Sequence, residues 1–344
     1  MNLNKKAGIL FGFFFLAQTL SLFSAVNHIA ALVRLKEYLI TALFGFYISG
    51  IDFSKFKSYL VSGLFLSVLF SCMLGIGQFL SGRSVGFWLL GEREFNVITP
   101  LVAKFNFYDR VFLRPYATFS HPNLFAGFLV LSLPMLIIGI KRGFSSLKLL
   151  LSLIISITVL ITFSRPAVLL TGVIVLFMYK RFWKLILIFA ALVLPLLVVR
   201  FVSIFTFDSL AVLRRQELAE YAIELFFRNP ALGNGLNNFI NLLASDRVLV
   251  GTSRFLQPVH NIFLLVLSEA GLLGLAGFLS LFVFGIWKNH KKNDKFSKVL
   301  TANLLMIILL GFFDHYFLTL SQGQRLLFLI LGLSLNPLTT KDSA

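Results

Sequence analysis

The chain has 344 residues, of which 58% are hydrophobic and 13% are charged, and its mean hydropathy is +0.90. A soluble domain of this length cannot cover so much apolar surface, so the composition excludes a soluble enzyme or binding module. The formal net charge is +17, and the single cysteine, Cys72, excludes a disulfide framework and a cysteine-based metal site.

Apolar runs long enough to cross a bilayer recur along the whole chain. A transmembrane helix needs roughly 20 mostly apolar residues, because the hydrocarbon core is about 30 Å thick. We therefore predict an all-α polytopic membrane bundle, a single integral membrane domain over residues 1–344 with about ten spans. The predicted spans are 8–26, 36–51, 58–80, 121–140, 148–164, 166–179, 184–204, 260–286, 299–316 and 324–337.

Basic residues in the short loops set the predicted orientation, because positively charged loops stay in the cytoplasm. The segments 141–148, 180–184 and 287–298 are basic and fall on one side if the N-terminus is cytoplasmic. The predicted spans then return the C-terminus to the cytoplasm as well. The two long polar loops, 81–120 and 205–259, are predicted to lie outside.

The two predicted sides carry different basic residues. The inner side has 14 lysines and two arginines, and the outer side has 13 arginines and two lysines. Attraction of anionic lipid explains the inner lysines. Guanidinium binds phosphate bidentately, so the outer arginines favour phosphate handling at the membrane surface, with chance or ion pairing as the alternative. Nucleic acid is not expected as a partner, because the strongest positive charge anchors cytoplasmic loops.

The segment LRPYATFSHPNLFAGFL (113–129) leads into a predicted span. His121 with Pro122 and Asn123 is expected to cap that helix. Arg114 and His121 are also candidate substrate contacts, because both are polar residues at the predicted outer edge of the membrane.

The segment ITFSRPAVLL (161–170) joins two predicted spans with almost no loop. Pro166 suits the first turn of a helix, so we expect the chain to reverse direction at Arg165. An arginine in so tight an outer hairpin opposes the positive-inside bias. Either Arg165 reaches to lipid headgroups or it binds an anion at the rim of a cavity.

The segment AVLRRQELAEYAIELFFRNPALGNG (211–235) predicts an amphipathic helix that is ended by Asn-Pro and a glycine-containing turn. Arg214 begins a stripe that is expected to be solvated or ion-paired and that continues through Glu217, Tyr221, Glu224 and Arg228. Arg215 begins an apolar stripe that continues through Leu218, Ala222 and Leu225. A charge on an apolar face needs an anionic partner, so Arg215 is the stronger functional candidate. Gly233 and Gly235 are expected to be turn glycines rather than a phosphate cradle.

The segment PVHNIFLLVLSEAGLLG places His260 at the predicted outer edge of its span. Imidazole is the side chain best suited to proton transfer near neutral pH. Glu269 follows after about 13.5 Å of helical rise and about 180° of rotation, so we expect it to face away from His260. At that depth in the membrane, we expect the carboxyl group of Glu269 to be uncharged, to be paired with another group, or to have a function. Asp314 and His315 lie at another predicted outer edge of the membrane. The pair is either a structural polar contact, or His315 is a second catalytic histidine.

Taken in order, these segments resemble the O-antigen ligase and polymerase superfamily, membrane enzymes that move glycans from polyprenyl-diphosphate carriers. The resemblance covers most of the chain after about residue 75, and the most specific motifs are RRQELAEYAIELFFRNPALGNGLNNF and VHNIFLLVLSEAGLLGLAGF. It implies a type C glycosyltransferase-like helical fold with an external helical loop, and transfer without a metal or other cofactor. Attack on the sugar from the face opposite the diphosphate would invert the anomeric centre. By motif, its two diphosphate-binding arginines and its external histidine fall on Arg165, Arg215 and His260. An aromatic residue often follows the loop arginine by four positions in the family, and Ala219 departs from that pattern.

The resemblance also implies partners and a location. The donor would be a polyprenyl-diphosphate-linked glycan, the acceptor a glycan, lipid or protein, and membrane lipids the surroundings. The location would be the bacterial cytoplasmic (inner) membrane. Polymerisation of lipid-linked repeat units is the alternative within the family, and a transporter of lipid-linked sugars is a more distant one. Predicted substrate-binding residues are Arg214, Arg114, His121, Asn123, Asn261 and His315.

Overall fold

The computed structural model shows a predominantly helical protein. It describes residues 4–107, 110–141, 143–180, 183–184, 210–247 and 256–337. The helices are α1 (Lys5–Leu20), α2 (His28–Gly50), α3 (Phe53–Ser81), α4 (Pro122–Gly139), α5 (Ser145–Ile161), α6 (Arg165–Met178), α7 (Leu210–Arg228), α8 (Phe239–Asp246), α9 (Ile262–Lys292), α10 (Lys295–Gly311), α11 (Tyr316–Thr319) and α12 (Ser321–Ser334). Short 3-10 turns lie at Ser21–Ser24 and Trp88–Leu90.

One short hairpin departs from the predicted all-α class. Strands β1 (Lys104–Phe107) and β2 (Arg110–Leu113) pair antiparallel, with Lys104 opposite Leu113. The hairpin lies inside the loop 81–120, for which the sequence predicts no regular structure. The helical class itself is confirmed for the described residues.

Four of the described helices are long and apolar enough to cross a membrane. They are α1 with its following 3-10 turn, α3, α4 and α9. Helices α5 and α6 are apolar but shorter. Nine of the predicted spans fall on described helices, and the span 184–204 lies outside the described residues apart from its first residue. The full number of spans and the type C fold therefore stay predictions.

Contacts divide the chain into two compact units. Unit 1 comprises Met1–Phe56 and Phe207–Ala344, and unit 2 comprises Lys57–Thr206. Each unit buries apolar side chains of its own, such as Phe278 in unit 1 and Leu129 in unit 2. The prediction of one membrane domain over the whole chain stays a prediction.

In unit 1, the N-terminal helices pack closely against the C-terminal ones through glycines. A Cβ atom at Gly332 of α12 would lie 2.5 Å from the carbonyl oxygen of Gly45 in α2. A Cβ atom at Gly277 of α9 would lie 3.1 Å from the Cα atom of Phe14 in α1. Small residues allow such close backbone approach in membrane bundles, where no hydrophobic effect drives helices together.

In unit 2, helices α4, α5 and α6 pack against one another, and α4 also lies against α3. A Cβ atom at Gly139 would come within 2.5 Å of the Val61 side chain, and one at Gly75 within 2.8 Å of Phe125. Cys72 is fully buried in α3, as its place in an apolar run predicts. These contacts fix α3 against α4, and so they fix both ends of the loop that joins the two helices.

Candidate functional site

His260 lies directly before α9, and its neighbour fixes the start of that helix. The side-chain Oδ1 of Asn261 accepts hydrogen bonds from the backbone N–H groups of Phe263 at 2.9 Å and Leu264 at 3.0 Å. Such N-caps satisfy donors that lack a partner inside the helix. Asn261 is therefore a helix cap, and its predicted contact with substrate stays a prediction. His260 itself is half-buried.

The structure brings His260 and His315 together. Their ring centroids lie 5.2 Å apart with an angle of 70° between the ring planes. Nδ1 of His315 lies 2.7 Å from Oγ1 of Thr319, and the backbone N–H of His315 donates to Oδ1 of Asp314 at 2.8 Å. Asp314 and His315 thus form a structural polar contact, which is one of the two alternatives that the sequence leaves open. The predicted span 299–316 is too long by several residues, because α10 ends at Gly311 and leaves the pair in a turn.

Burial and neighbouring charges both act on the imidazole of His315. Burial lowers the pKa of the His315 imidazole, and the charge of Asp314 opposes this shift. The positive charges of Arg215 and Arg34 lower the pKa further. Both the desolvation and the cations disfavour the imidazolium form. The environment of His315 therefore favours its neutral form over the imidazolium.

Arg215 projects from α7 on the stripe that packs against the segment leading to His260. Leu218, Tyr221, Ala222 and Leu225 of α7 form a buried cluster with Phe239 and Leu243 of α8, Val259, and Leu265 of α9. Arg215 lies one turn before Leu218, is exposed, and makes no ion pair with another residue in the described ranges. The helix therefore presents a guanidinium that is available to an anion. Ala219, the departure from the family pattern, packs against the cluster.

The other stripe of α7 forms an ion-pair network with α8. Arg228 binds Glu224 at 2.7 Å and Asp246 at 2.6 Å, and Arg247 also binds Glu224. The hydroxyl of Tyr221 donates to Asp246 at 2.9 Å. The ion-paired reading is confirmed for Glu224 and Arg228. Its solvated reading is wrong for Tyr221, whose ring is fully buried because α8 covers that part of α7.

The turn after α7 is bound to a break in α9. Gly271 has φ 63° and ψ −165°, so the helix hydrogen bonding is interrupted there. The backbone N–H groups of Asn234 and Gly235 donate to the carbonyl oxygens of Ser268 and Glu269, each at 3.0 Å. In return, the backbone N–H of Leu272 donates to Pro230 at 2.8 Å, beyond the break.

The glycines of this segment are required by close backbone contact. Gly233 and Gly235 have φ values of 72° and 101°. A Cβ atom at Gly233 would lie 2.4 Å from the backbone nitrogen of Ala270, and one at Gly235 would lie 2.4 Å from the Cα atom of Ala25. The prediction that they are turn glycines is confirmed.

Glu269 is a buried carboxylate that holds the same turn. Its side chain is at the N-terminus of α8, where Oε1 accepts the backbone N–H of Phe239 at 3.2 Å. A helix N-terminus offers unpaired N–H groups and a partial positive charge, both of which favour a carboxylate. Glu269 is thus paired with backbone, one of the alternatives that its depth predicts.

Arg34 is a residue of this region that the sequence reading missed. Its guanidinium donates to Glu37 at 2.8 Å, to the carbonyl oxygens of Leu318 at 3.2 Å and Thr319 at 3.0 Å, and to Oδ1 of Asn237 at 3.2 Å. It therefore joins α2 to α11 and to the turn after α7. The sequence did indicate that Arg34 needs partners, because an arginine beside an apolar run is costly without several hydrogen-bond acceptors.

In unit 2, the predicted cap at His121 is confirmed. Nδ1 of His121 accepts the backbone N–H of Asn123 at 3.1 Å at the start of α4. Arg114 is buried, and its guanidinium donates to Oδ1 of Asn123 and, at 2.6 Å, to the carbonyl oxygen of Thr162. These contacts give Arg114 and Asn123 a structural role, and their contact with substrate stays a prediction.

Arg165 is the first residue of α6 and follows a tight turn. Pro166 lies in the first turn of the helix, and Phe163 has φ 53°, so the reversal at Arg165 is confirmed. Arg165 is half-buried. Its role toward headgroup or diphosphate stays a prediction. Among the described residues, no group of three His, Cys, Asp or Glu side chains could hold a metal ion.

Comparison with known proteins gives one family. The family model described as O-antigen ligase matches residues 150–279, which include Arg165, Arg215 and His260. No curated protein matches the chain significantly. The matched range begins in α5 and ends in α9, so it contains the turn bound to the helix break. Over residues 150–279 the chain is thus similar to the O-antigen ligase family.

Proposed function

We propose that this protein transfers a glycan from a polyprenyl-diphosphate carrier to an acceptor hydroxyl or amide at the outer face of the bacterial cytoplasmic membrane. One observation carries the proposal: the ring of His260 lies against the ring of His315, with the centroids 5.2 Å apart. Arg215 is exposed and lies within electrostatic range of His315. A base and a cation in one region are what transfer from a diphosphate requires.

His260 is the proposed general base for a hydroxyl acceptor. It accepts the acceptor's proton as the acceptor oxygen attacks the anomeric carbon, and the bond from that carbon to the diphosphate oxygen breaks. The electron pair leaves with the carrier diphosphate, and His260 later releases the proton to solvent. Attack from the face opposite the leaving group inverts the anomeric centre. General base catalysis of this kind contributes about 10²–10⁴-fold.

Arg215 is the proposed contact to the departing diphosphate. Negative charge grows on the bridging oxygen as the bond breaks, and a preplaced guanidinium stabilises that charge by roughly 3–4 kcal/mol. Guanidinium suits this role because its fork matches two phosphate oxygens at once. The same role for Arg165 rests on the resemblance alone, as do the substrate contacts of Arg214 and Asn261.

The test is transfer in vitro with the full chain in nanodiscs and a polyprenyl-diphosphate-linked oligosaccharide. His260→Ala and Arg215→Ala should fold normally and lose product. His290→Ala is a matched control, because His290 is an exposed histidine at the other end of α9. Arg228→Ala is the control for Arg215, because its ion pairs are exposed and worth little. Full transfer by His260→Ala would remove this residue from the chemistry.

The products distinguish the alternatives. A ladder of lengthened lipid-linked glycans identifies a polymerase, and a single transfer to another acceptor identifies a ligase. Movement of intact lipid-linked glycan across the membrane, without a new glycosidic bond, would instead identify a transporter.

A further inference from the structure

A cavity of about 530 Å³ lies in unit 2, where α3 ends and the following loop folds back. Small-molecule sites in proteins usually enclose about 300–1,000 Å³, so this cavity has the size of a binding site. Its polar lining includes Ser81, Arg83, Ser84, Glu94 and Asn96, and Trp88 supplies an aromatic wall. The cavity lies in the loop 81–120, which the distribution of basic residues predicts to be external.

The walls of the cavity are held by hydrogen bonds. The buried carboxylate of Glu92 accepts the backbone N–H groups of Val85 and Gly86 at 2.7 Å and of Phe87 at 2.6 Å. The Nε2 group of Gln78 donates to the same carboxylate at 2.8 Å. The segment that carries Trp88 is therefore fixed before any ligand arrives, which lowers the entropic cost of binding.

Backbone pairing also fixes the opposite wall of the cavity. The backbone N–H of Ser84 donates to the carbonyl oxygen of Phe95 at 2.9 Å, and Arg83 and Asn96 form a β-bridge beside it. This pairing places Arg83 and Glu94 on adjacent segments that both line the cavity.

Two opposite charges line the cavity without joining each other. Arg83 and Glu94 are exposed, and within the described ranges neither side chain makes an ion pair or a hydrogen bond. Five guanidinium donors and a carboxylate acceptor thus remain available to a ligand. A ligand that offers both donors and acceptors at several positions satisfies both side chains.

Trp88 adds an apolar surface to these polar groups. Its side chain is 49% exposed, although large aromatic side chains usually gain from burial. A pyranose ring has an apolar face of C–H groups and a rim of hydroxyl groups, each both donor and acceptor. It therefore matches an indole wall with a guanidinium and a carboxylate near it.

We propose that this cavity binds one sugar unit of a glycan. The proposal rests on the proposed function, since a glycan transferase has glycan on the predicted outer side of the membrane. It goes beyond that function, because Arg215 and His260 belong to unit 1 and the cavity is built entirely from unit 2. Its ligand is the sugar ring itself, with no need for the carrier diphosphate.

The test uses the full chain in nanodiscs with Trp183→Phe and Trp287→Phe, so that Trp88 is the remaining tryptophan of the three. Methyl glycosides of a neutral hexose, an N-acetylhexosamine and a hexuronic acid are titrated, and tryptophan fluorescence and saturation-transfer NMR are recorded. At least one glycoside should bind saturably. Trp88→Ala and Glu94→Gln should each weaken binding about tenfold or more. Trp88→Phe, which keeps an aromatic wall, should weaken binding less.

Several outcomes would overturn the proposal. One is the absence of saturable binding by every glycoside, and another is binding that Trp88→Ala and Glu94→Gln leave unchanged. A third is quenching of Trp88 by brominated lipid that no glycoside reduces, which would make the cavity a lipid contact.

The two proposals fail separately. Arg215→Ala should abolish transfer and leave glycoside binding intact. Glycoside binding at Trp88 in a protein without transfer activity would refute the proposed function alone. Transfer without glycoside binding would refute the cavity proposal alone.

Discussion

The imidazole rings of His260 and His315 meet edge to face, 5.2 Å apart, although 55 positions separate the residues in the chain. Asn261, the neighbour of His260, caps the start of α9, and His315 binds Thr319. The pair therefore depends on two separate helix starts, those of α9 and α11. A change at either start should alter the position of His260.

His315 is predicted to position His260 rather than to transfer a proton. His315→Gln keeps a hydrogen-bonding group for Thr319 and should lower the transfer rate about tenfold, a smaller effect than loss of His260. The measurement is kcat and KM with a lipid-linked donor. Because burial and the nearby arginines lower the pKa of His315 and so favour its neutral form, the pH profile of His315→Gln should keep the shape of the wild-type profile. A loss of one limb of that profile would instead make His315 a proton carrier.

Arg34 is predicted to support α11 and the turn after α7. Arg34→Gln leaves the carbonyl oxygens of Leu318 and Thr319 with fewer donors, and the cost is about 1–3 kcal/mol. Thermal unfolding in detergent measures the loss. Lys36→Gln is the control, because Lys36 is exposed on the same helix and should change stability little. Equal effects of the two variants would contradict the role given to Arg34.

The break at Gly271 is predicted to require glycine. Gly271→Ala places a Cβ atom 2.4 Å from the carbonyl oxygen of Ala231 at a φ of 63°, so it should destabilise the protein by about 1–3 kcal/mol. Gly63→Ala, in α3, is the control, because nothing lies within 4 Å of its added Cβ atom. Gly63→Ala should be neutral or slightly stabilising. The measurement is the thermal unfolding midpoint of each variant. Equal midpoints would contradict the requirement for glycine at position 271.

Glu92 is predicted to make the loop after α3 sensitive to acid. Burial alone would raise the pKa of Glu92, but the hydrogen bonds from Gln78, Val85, Gly86 and Phe87 outweigh it and lower the pKa. A carboxyl with a lowered folded pKa stabilises the fold above its unfolded pKa, and that stability is lost as pH falls through the folded pKa. The protection of the amides at residues 85–87, that is, their exchange rate relative to the intrinsic rate at the same pH, should therefore fall in acid. Glu92→Gln should exchange faster already at neutral pH and lose most of this pH dependence.

The predicted phosphate contact of Arg165 has a separate test. Arg165→Lys keeps the charge but loses the planar fork, so it should restore only part of the transfer lost in Arg165→Ala. If Arg165 only reaches to lipid headgroups, both variants should transfer at the wild-type rate. Initial rates at saturating donor separate the two readings.

Local sequence signals predicted several features well. The apolar runs predicted nine of the described helices, and the residues around Pro122 and Pro166 predicted how α4 and α6 begin. The stripe of Arg215 predicted the apolar face of α7, because helical spacing alone determines which residues share a face.

Features that depend on distant segments were not predicted. The run around Gly271 is apolar throughout, so nothing in its periodicity marks the break, and its hydrogen bonds come from a turn near residue 234. Arg34 finds its acceptors in α11, at the far end of the chain. The contact of His260 with His315 likewise needs the packing of α9 against α10. Such pairings leave no pattern in either segment alone.

The hydrogen bonding of the turn after α7 to the break in α9 has a consequence for how the protein assembles in the bilayer. A broken helix would expose bare carbonyl groups to hydrocarbon, which has no donors to offer them. Here the donors come from a segment that precedes α9 in the chain and is therefore synthesised first. The later helix thus enters the membrane when its missing donors already exist. A chain with the two segments in reversed order would have to hold an incomplete helix in lipid until its partner was made.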